Sequence, residues 1–137
     1  MEYFTLSNGL RIPAVGSGTN TFAKTDRVYN GSTTEVRSAI KAGYRLFDTA
    51  EAYENEEAVG NGVIESSVGR ENVFLCTKMS SRQERQMGRD DACAAIERSL
   101  SSLIQYKSSN LRQKGQRGCP FCFFQCLKCG LFYKKDP

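Results

Sequence analysis

At 137 residues, 39% hydrophobic and 25% charged, the chain is long enough to bury one core, and a single domain is expected rather than several. No apolar run approaches the roughly 18 residues of a membrane span, and the opening MEYFTLSNGL has no charged or apolar leader; a soluble cytoplasmic protein with no membrane partner is expected. The net charge of +4 is unevenly placed: residues 1–105 hold 12 Lys and Arg against 14 Asp and Glu, whereas residues 106–137 hold 7 against 1.

LSNGLRI at residues 6–12 sets Asn8-Gly9 between short apolar-bearing arms. That predicts a β-hairpin, because a type I′ turn needs two residues tolerant of positive φ; Pro13 then ends it. Residues 14–19, AVGSGT, read as a small-residue strand whose Gly16 and Gly18 admit close approach of either a neighbouring backbone or a ligand. Residues 21–32 are polar and turn-rich, a strand-to-helix loop. Ser32-Thr33-Thr34-Glu35 has the form of a capping box, Val36, Ala39 and Ile40 follow at helical spacing, and Gly43 closes the helix. A strand over 45–48 comes next, then a helix with Asn55 as N-cap and Ala58, Val59, Gly62 and Val63 on one face. Residues 73–77 are nearly continuous in apolar character, as a strand buried on both faces should be. A polar loop over 79–89 precedes a helix capped by Asp90 or Asp91, in which Cys93, Ile96, Leu100 and Leu103 form an amphipathic stripe.

Chemistry concentrates in GYRLFDTAEAYENE, residues 43–56. Asp48, Thr49, Glu51, Tyr53 and Asn55 crowd between a strand and the next helix, and Lys78 directly follows the third strand. In parallel α/β folds the loops after the carboxyl ends of the strands collect catalytic groups, so an acid, a phenol and an amine leave two successive strands on one face. Taken singly, each has a plainer use: Asp48 as a helix or turn cap, Tyr53 as a packed ring, Lys78 as a solvated strand end.

FDTAEAYENEEAVG followed by VFLCTK, with LSNGLRIPAVGSGT before and IERSLSSL after, resembles the aldo-keto reductase family over about residues 3–104. The resemblance implies an α/β fold, the N-terminal half of a (β/α)8 TIM barrel preceded by a β-hairpin, and an enzyme that reduces aldehydes or ketones with NADPH. It makes Tyr53 the proton donor, Lys78 the cation that renders the phenol more acidic, and Asp48 the carboxylate that holds Lys78. Gly18, Thr19 and Asn20, together with Asp48, become the residues that line the nicotinamide pocket; Asn20 stands where the family often has an aromatic. These residue types suit the reaction, since hydride delivery to a carbonyl builds negative charge on oxygen that a nearby acid must quench. The implied partner is a small carbonyl compound, with no nucleic acid.

The pattern stops after Leu103. The chain is about half of the ~250 residues of a complete barrel, and it contains no histidine, the residue type that in the family orients the carbonyl. Activity of the chain alone is therefore expected to be weak or lost, and the strand edges of a half-barrel invite self-association. Residues 1–105 are read as the truncated barrel and 106–137 as a basic, irregular, Cys-rich tail. Of six cysteines, Cys76 and Cys93 sit in apolar stretches, and without a secretory leader none is read as part of a disulfide framework. Cys119, Cys122, Cys126 and Cys129 form two C-x-x-C pairs, which offers the alternative of a non-enzymatic fragment or splice variant whose tail binds zinc or a partner. Only three residues separate the pairs, too few for a ribbon-type site, so no metal is expected.

Overall fold

The computed structural model describes residues 1–7, 9–79, 89–104, 122–125 and 132–133. Strands β1 (Tyr3–Thr5) and β2 (Arg11–Pro13) form the expected antiparallel hairpin, with Tyr3 opposite Pro13. Its turn is not the predicted two-residue form. The Gly9 N–H donates to Leu6 O (2.9 Å) and the Leu6 N–H to Leu10 O (2.8 Å), which leaves Gly9, at φ 81°, as the last residue of a three-residue loop. Glycine takes the left-handed position after the turn in that loop class. Tyr3, Arg11 and Pro13 line a cleft with Arg45, Val73 and Phe74, so the hairpin lies across the start of the third barrel strand.

The strand predicted over 14–19 contracts to β3 (Ser17–Gly18). The stretch read as a plain loop over 21–32 contains a second small hairpin, β4 (Lys24–Thr25) and β5 (Val28–Tyr29). Asp26 and Arg27 turn it, both at positive φ (51° and 66°). Two consecutive left-handed residues are the type I′ geometry, for which Asn-Gly or Asp-Gly is the usual signal and Asp-Arg is not.

Strands β6 (Leu46–Asp48) and β7 (Phe74–Lys78) complete the expected alternation. Among the described residues the main sheet has the order β3-β6-β7-β8-β9, and its first four strands are parallel. Strand β8 (Cys122–Gln125) pairs with β7 from Leu75 opposite Cys122 to Lys78 opposite Gln125, and β9 (Phe132–Tyr133) returns antiparallel. The tail is thus not irregular throughout. CFFQ is short but aromatic, and the outer edge of β7 offers a row of backbone donors and acceptors that such a segment can pair. The rest of the tail, with Cys119, Cys126 and Cys129, lies outside the described residues.

Among the described residues three helices cover one face: α1 (Thr34–Lys41), α2 (Glu56–Ile64) and α3 (Arg89–Ile104). The core between them and the sheet holds Val36 and Ile40 of α1, Val59 and Val63 of α2, Leu103 of α3, and Phe47, Val73 and Leu75 from the strand layer. Because side chains alternate along a strand, Phe47, Leu75 and Thr77 face the helices while Asp48, Cys76 and Lys78 point to the other side.

The capping box is not made. Thr33 is the N-cap of α1, the Ser32 N–H goes to Asn30 Oδ1 (2.9 Å) instead of Glu35, and Ser32 Oγ accepts from the Thr34 N–H at 3.2 Å. The Asn30 side chain, two residues earlier, takes that donor. The predicted stripe on the last helix is shifted as well: among the side chains described there, Ala95, Ser99 and Leu103 are buried and Ile96 and Leu100 half-buried, while that of Cys93 lies outside the described ones. Close packing of α2 explains the shift. A Cβ on Gly60 would lie 2.6 Å from the carbonyl oxygens of both Ser102 and Leu103, so the two helix backbones touch where only small side chains fit. Asp90 and Asp91 fall inside α3, which begins at Arg89, rather than before it.

Candidate active site

Gly18, Asp48 and Cys76 stand side by side across β3, β6 and β7, at the carboxyl ends of the first two strands and two residues short of the end of the third. Lys78 is two residues further along β7, on the same face as Cys76. Its Nζ reaches Asp48 Oδ1 at 2.6 Å. The lysine side chain is 14% exposed and the aspartate's 51%, so the pair has one foot in the fold and one in solvent. Tyr53 ends a short 3₁₀ turn, Glu51–Tyr53, and is half-buried; Lys78 Nζ lies 5.7 Å from its ring centroid. A cation at that distance from an aromatic face is held there by the ring quadrupole. The fold brings together all three residues singled out in the sequence.

The cofactor-pocket residues separate into two groups. Gly18 and Asn20 are exposed, and a Cβ on Gly18 would meet nothing within 4 Å. Thr19 is fully buried, and both its N–H (3.1 Å) and its hydroxyl (3.2 Å) donate to Asp48 O, so its side chain serves the protein beneath the site. Gly16 settles on the packing reading, since a Cβ there would come within 2.7 Å of Leu46 Cγ.

Cys76 is half-buried beside the pair. Burial, and then the negative charge of Asp48, push its thiol above the ordinary range, with Lys78 opposing, so it is a poor nucleophile where it stands. Among the described residues no group of three or more His, Cys, Asp or Glu is placed to hold a metal ion, and no helix is long and apolar enough to cross a membrane.

A second set of residues went unrecognised in the sequence. Asn55 is completely buried and is the N-cap of α2 by position, but its side chain makes no cap bond. It donates instead to Thr19 O (2.6 Å) and Phe22 O (3.0 Å) and accepts from the Thr49 hydroxyl (3.2 Å). Glu56, 8% exposed, accepts from the Thr77 hydroxyl at 2.6 Å and is also hydrogen-bonded by Ser99. Burial holds its carboxyl above the usual carboxylate range, against the lowering effect of those two hydroxyls. The available signal was N-E-E at a helix start, which fits N-terminal capping equally well.

Parallel strands with helices on one face and a hairpin across the strand starts are the arrangement of part of a (β/α)8 barrel, and an acid, an amine and a phenol meet at its strand ends. The sequence profile of the aldo/keto reductase family matches residues 14–106, and the chain belongs to that family. It is 41% identical over 100 residues to the glyoxal reductase of Bacillus subtilis, covering 72% of this chain and 33% of that protein. It is 42% identical over 101 residues to the 9,11-endoperoxide prostaglandin H2 reductase of Trypanosoma cruzi, covering 72% and 32%. Among solved structures, the Bombyx mori aldo-keto reductase in complex with NADP superposes with a TM-score of 0.63 at 36% identity, over 74% of this chain and 34% of that one. The aldo/keto reductase of Brucella melitensis gives 0.60 at 32%, over 74% and 36%. The chain therefore spans about a third of the length of the proteins it matches.

Proposed function

We propose that this chain carries the proton-donating part of an NADPH-dependent carbonyl reductase site, with Tyr53 as the acid, Lys78 as the cation beside it and Asp48 as the carboxylate that holds Lys78. The observation that carries this is the 2.6 Å contact of Lys78 Nζ with Asp48 Oδ1, made while the same Nζ lies 5.7 Å from the Tyr53 ring. NADPH, when bound, would supply the hydride. The residues present fit its nicotinamide end: Gly18 leaves open space at the end of β3, and the exposed flank of Asp48 is next to it in register. As the carbonyl oxygen gains charge, the Tyr53 phenol gives up its proton, and the phenolate left behind is stabilised by Lys78. Asp48 keeps the ammonium group in place.

The chain on its own reduces aldehydes slowly or not at all, because it has no histidine to orient the carbonyl. Self-association through the outer edge of β3 is part of the same reading, and sedimentation of the full chain reads it directly. The test of the assignment is NADPH oxidation with small aldehydes, by the full chain and by Tyr53→Phe, alongside NADPH binding followed by fluorescence. Weak binding with a slow rate that vanishes in Tyr53→Phe is the expected result. A measurable rate that is equal in the two proteins would remove Tyr53 from the role of acid.

A further inference from the structure

We propose that Asn55 is the positioning residue of this site, a latch that fixes the backbone carrying Asp48 by tying it to the loop on one side and the strand on the other. The inference rests on Asp48, Tyr53 and Lys78 being the reacting group. It concerns a residue that touches none of them.

The connections run through buried groups. Asn55 Nδ2 donates both its hydrogens across 36 and 33 residues of sequence, to Thr19 O and Phe22 O in the loop after β3. Thr19 in turn donates its N–H and its hydroxyl to the carbonyl oxygen of Asp48 itself. On the other side, Asn55 Oδ1 accepts from the hydroxyl of Thr49, whose N–H donates to Cys76 O (2.8 Å) on β7, two residues before Lys78. One amide therefore holds the residue bonded to Asp48 and the residue after it, and through Thr49 it joins the two strands that carry the ion pair. Thr19, Thr49 and Asn55 are each completely buried, so water cannot replace a bond that is lost. Only an amide fits here: the two carbonyl oxygens require donors, the hydroxyl requires an acceptor, and an aspartate would set an anion against two carbonyl dipoles.

The latch also controls Tyr53. Glu54, between Tyr53 and Asn55, is at φ 54°, a left-handed conformation that a non-glycine residue keeps only when its neighbours are fixed. Asn55 is the neighbour on one side, and the 3₁₀ turn that ends at Tyr53 is the other.

The experiment compares Asn55→Ala, Thr49→Val and Thr49→Ser in the full chain by amide hydrogen exchange, the NMR shifts of the Tyr53 ring and the rate of Lys78 acylation. Loss of one or more buried hydrogen bonds should speed exchange at the Thr19 and Thr49 amides by about tenfold or more in the first two variants. The α1 amides of 36–40 should be unchanged, the Tyr53 ring resonances displaced and Lys78 labelled faster; Thr49→Ser, which keeps the hydroxyl, should behave as wild type. Thr49→Val removes a single bond and serves if Asn55→Ala does not fold. Uniform acceleration that includes α1, or unchanged Tyr53 resonances and Lys78 labelling in the folded variants, would overturn the latch. None of these readouts needs turnover, so a measurable rate left unchanged in Tyr53→Phe would count against the reductase reading and leave this one standing.

Discussion

Two layers of polar residues lie against each other at the strand ends, and they differ in almost every physical respect. The upper layer, Asp48, Lys78 and Tyr53, is charged and partly open to solvent, and its members hold one another. The lower layer, Thr19, Thr49, Asn55, Glu56, Thr77 and Ser99, is buried; Glu56 is its one acid, and hydroxyls rather than a cation meet that carboxyl. In water-accessible surroundings an ion pair is worth little to stability, about 0–1 kcal/mol, whereas a buried hydrogen-bonded group left without its partner costs about 1–3 kcal/mol. The upper layer is therefore free to serve chemistry, and the lower one serves the fold that aims it.

If that division is right, substitutions in the two layers should damage different things. The largest effect is expected for Lys78→Met, which should cut carbonyl reduction in an active form of the site by about 10²–10⁴-fold, with little change in thermal stability. Steady-state rates and a melting curve check both halves. Glu56→Ala should do the reverse, leaving the Thr77 and Ser99 hydroxyls without their acceptor and lowering stability by about 1–3 kcal/mol in denaturant titrations.

Glu56→Gln sharpens the comparison through pH. The folded carboxyl is raised above its unfolded value, so the folded chain binds the extra proton more readily. The contribution of Glu56 to stability is then complete below the ordinary carboxylate range, falls as pH rises through the raised value, and is constant beyond it. Glutamine, which does not titrate, should flatten that slope; an unchanged slope would mean that Glu56 is not its source.

Smaller effects follow at the edges of the lower layer. Gly60→Ala gains about 1 kcal/mol of helix propensity but pushes a methyl group onto two α3 carbonyls, for which overpacking costs of about 1–3 kcal/mol apply. The net expectation in chemical denaturation is a loss near 1 kcal/mol. The contact of Arg98 with Glu51 at 3.8 Å is the smallest case, since the arginine side chain is 60% exposed. Arg98→Ala should change stability by less than about 0.5 kcal/mol.

The upper layer was legible in the sequence and the lower was not, for the same physical reason. Asp48, Tyr53 and Lys78 each have a plainer use alone, but an acid, a phenol and an amine that leave two successive strands inside family-like motifs stand out together. Asn55 and Thr49 are ordinary before a helix; only the approach of the β3 loop, more than 30 residues away in sequence, turns them from caps into ties. The strand-helix alternation was readable because burial imposes its period. What misled were features decided by neighbours: Asn30 displaced Glu35 at the α1 cap, α2 packed close enough to shift the buried face of α3 onto Ala95 and Ser99, and Asp26-Arg27 made a tight turn without glycine. The strand at Cys122–Gln125 belongs to the same group, since it is the edge of β7 that gives this short aromatic segment a place to pair.

The most direct measurement is made on a completed barrel, with residues 1–104 joined to the remaining portion of a family member such as the glyoxal reductase of Bacillus subtilis, and NADPH oxidation recorded with a small aldehyde. The account predicts turnover that falls by at least about a hundredfold in both Tyr53→Phe and Lys78→Met. A completed barrel that reduces the aldehyde equally well without the Tyr53 hydroxyl and the Lys78 charge would contradict it.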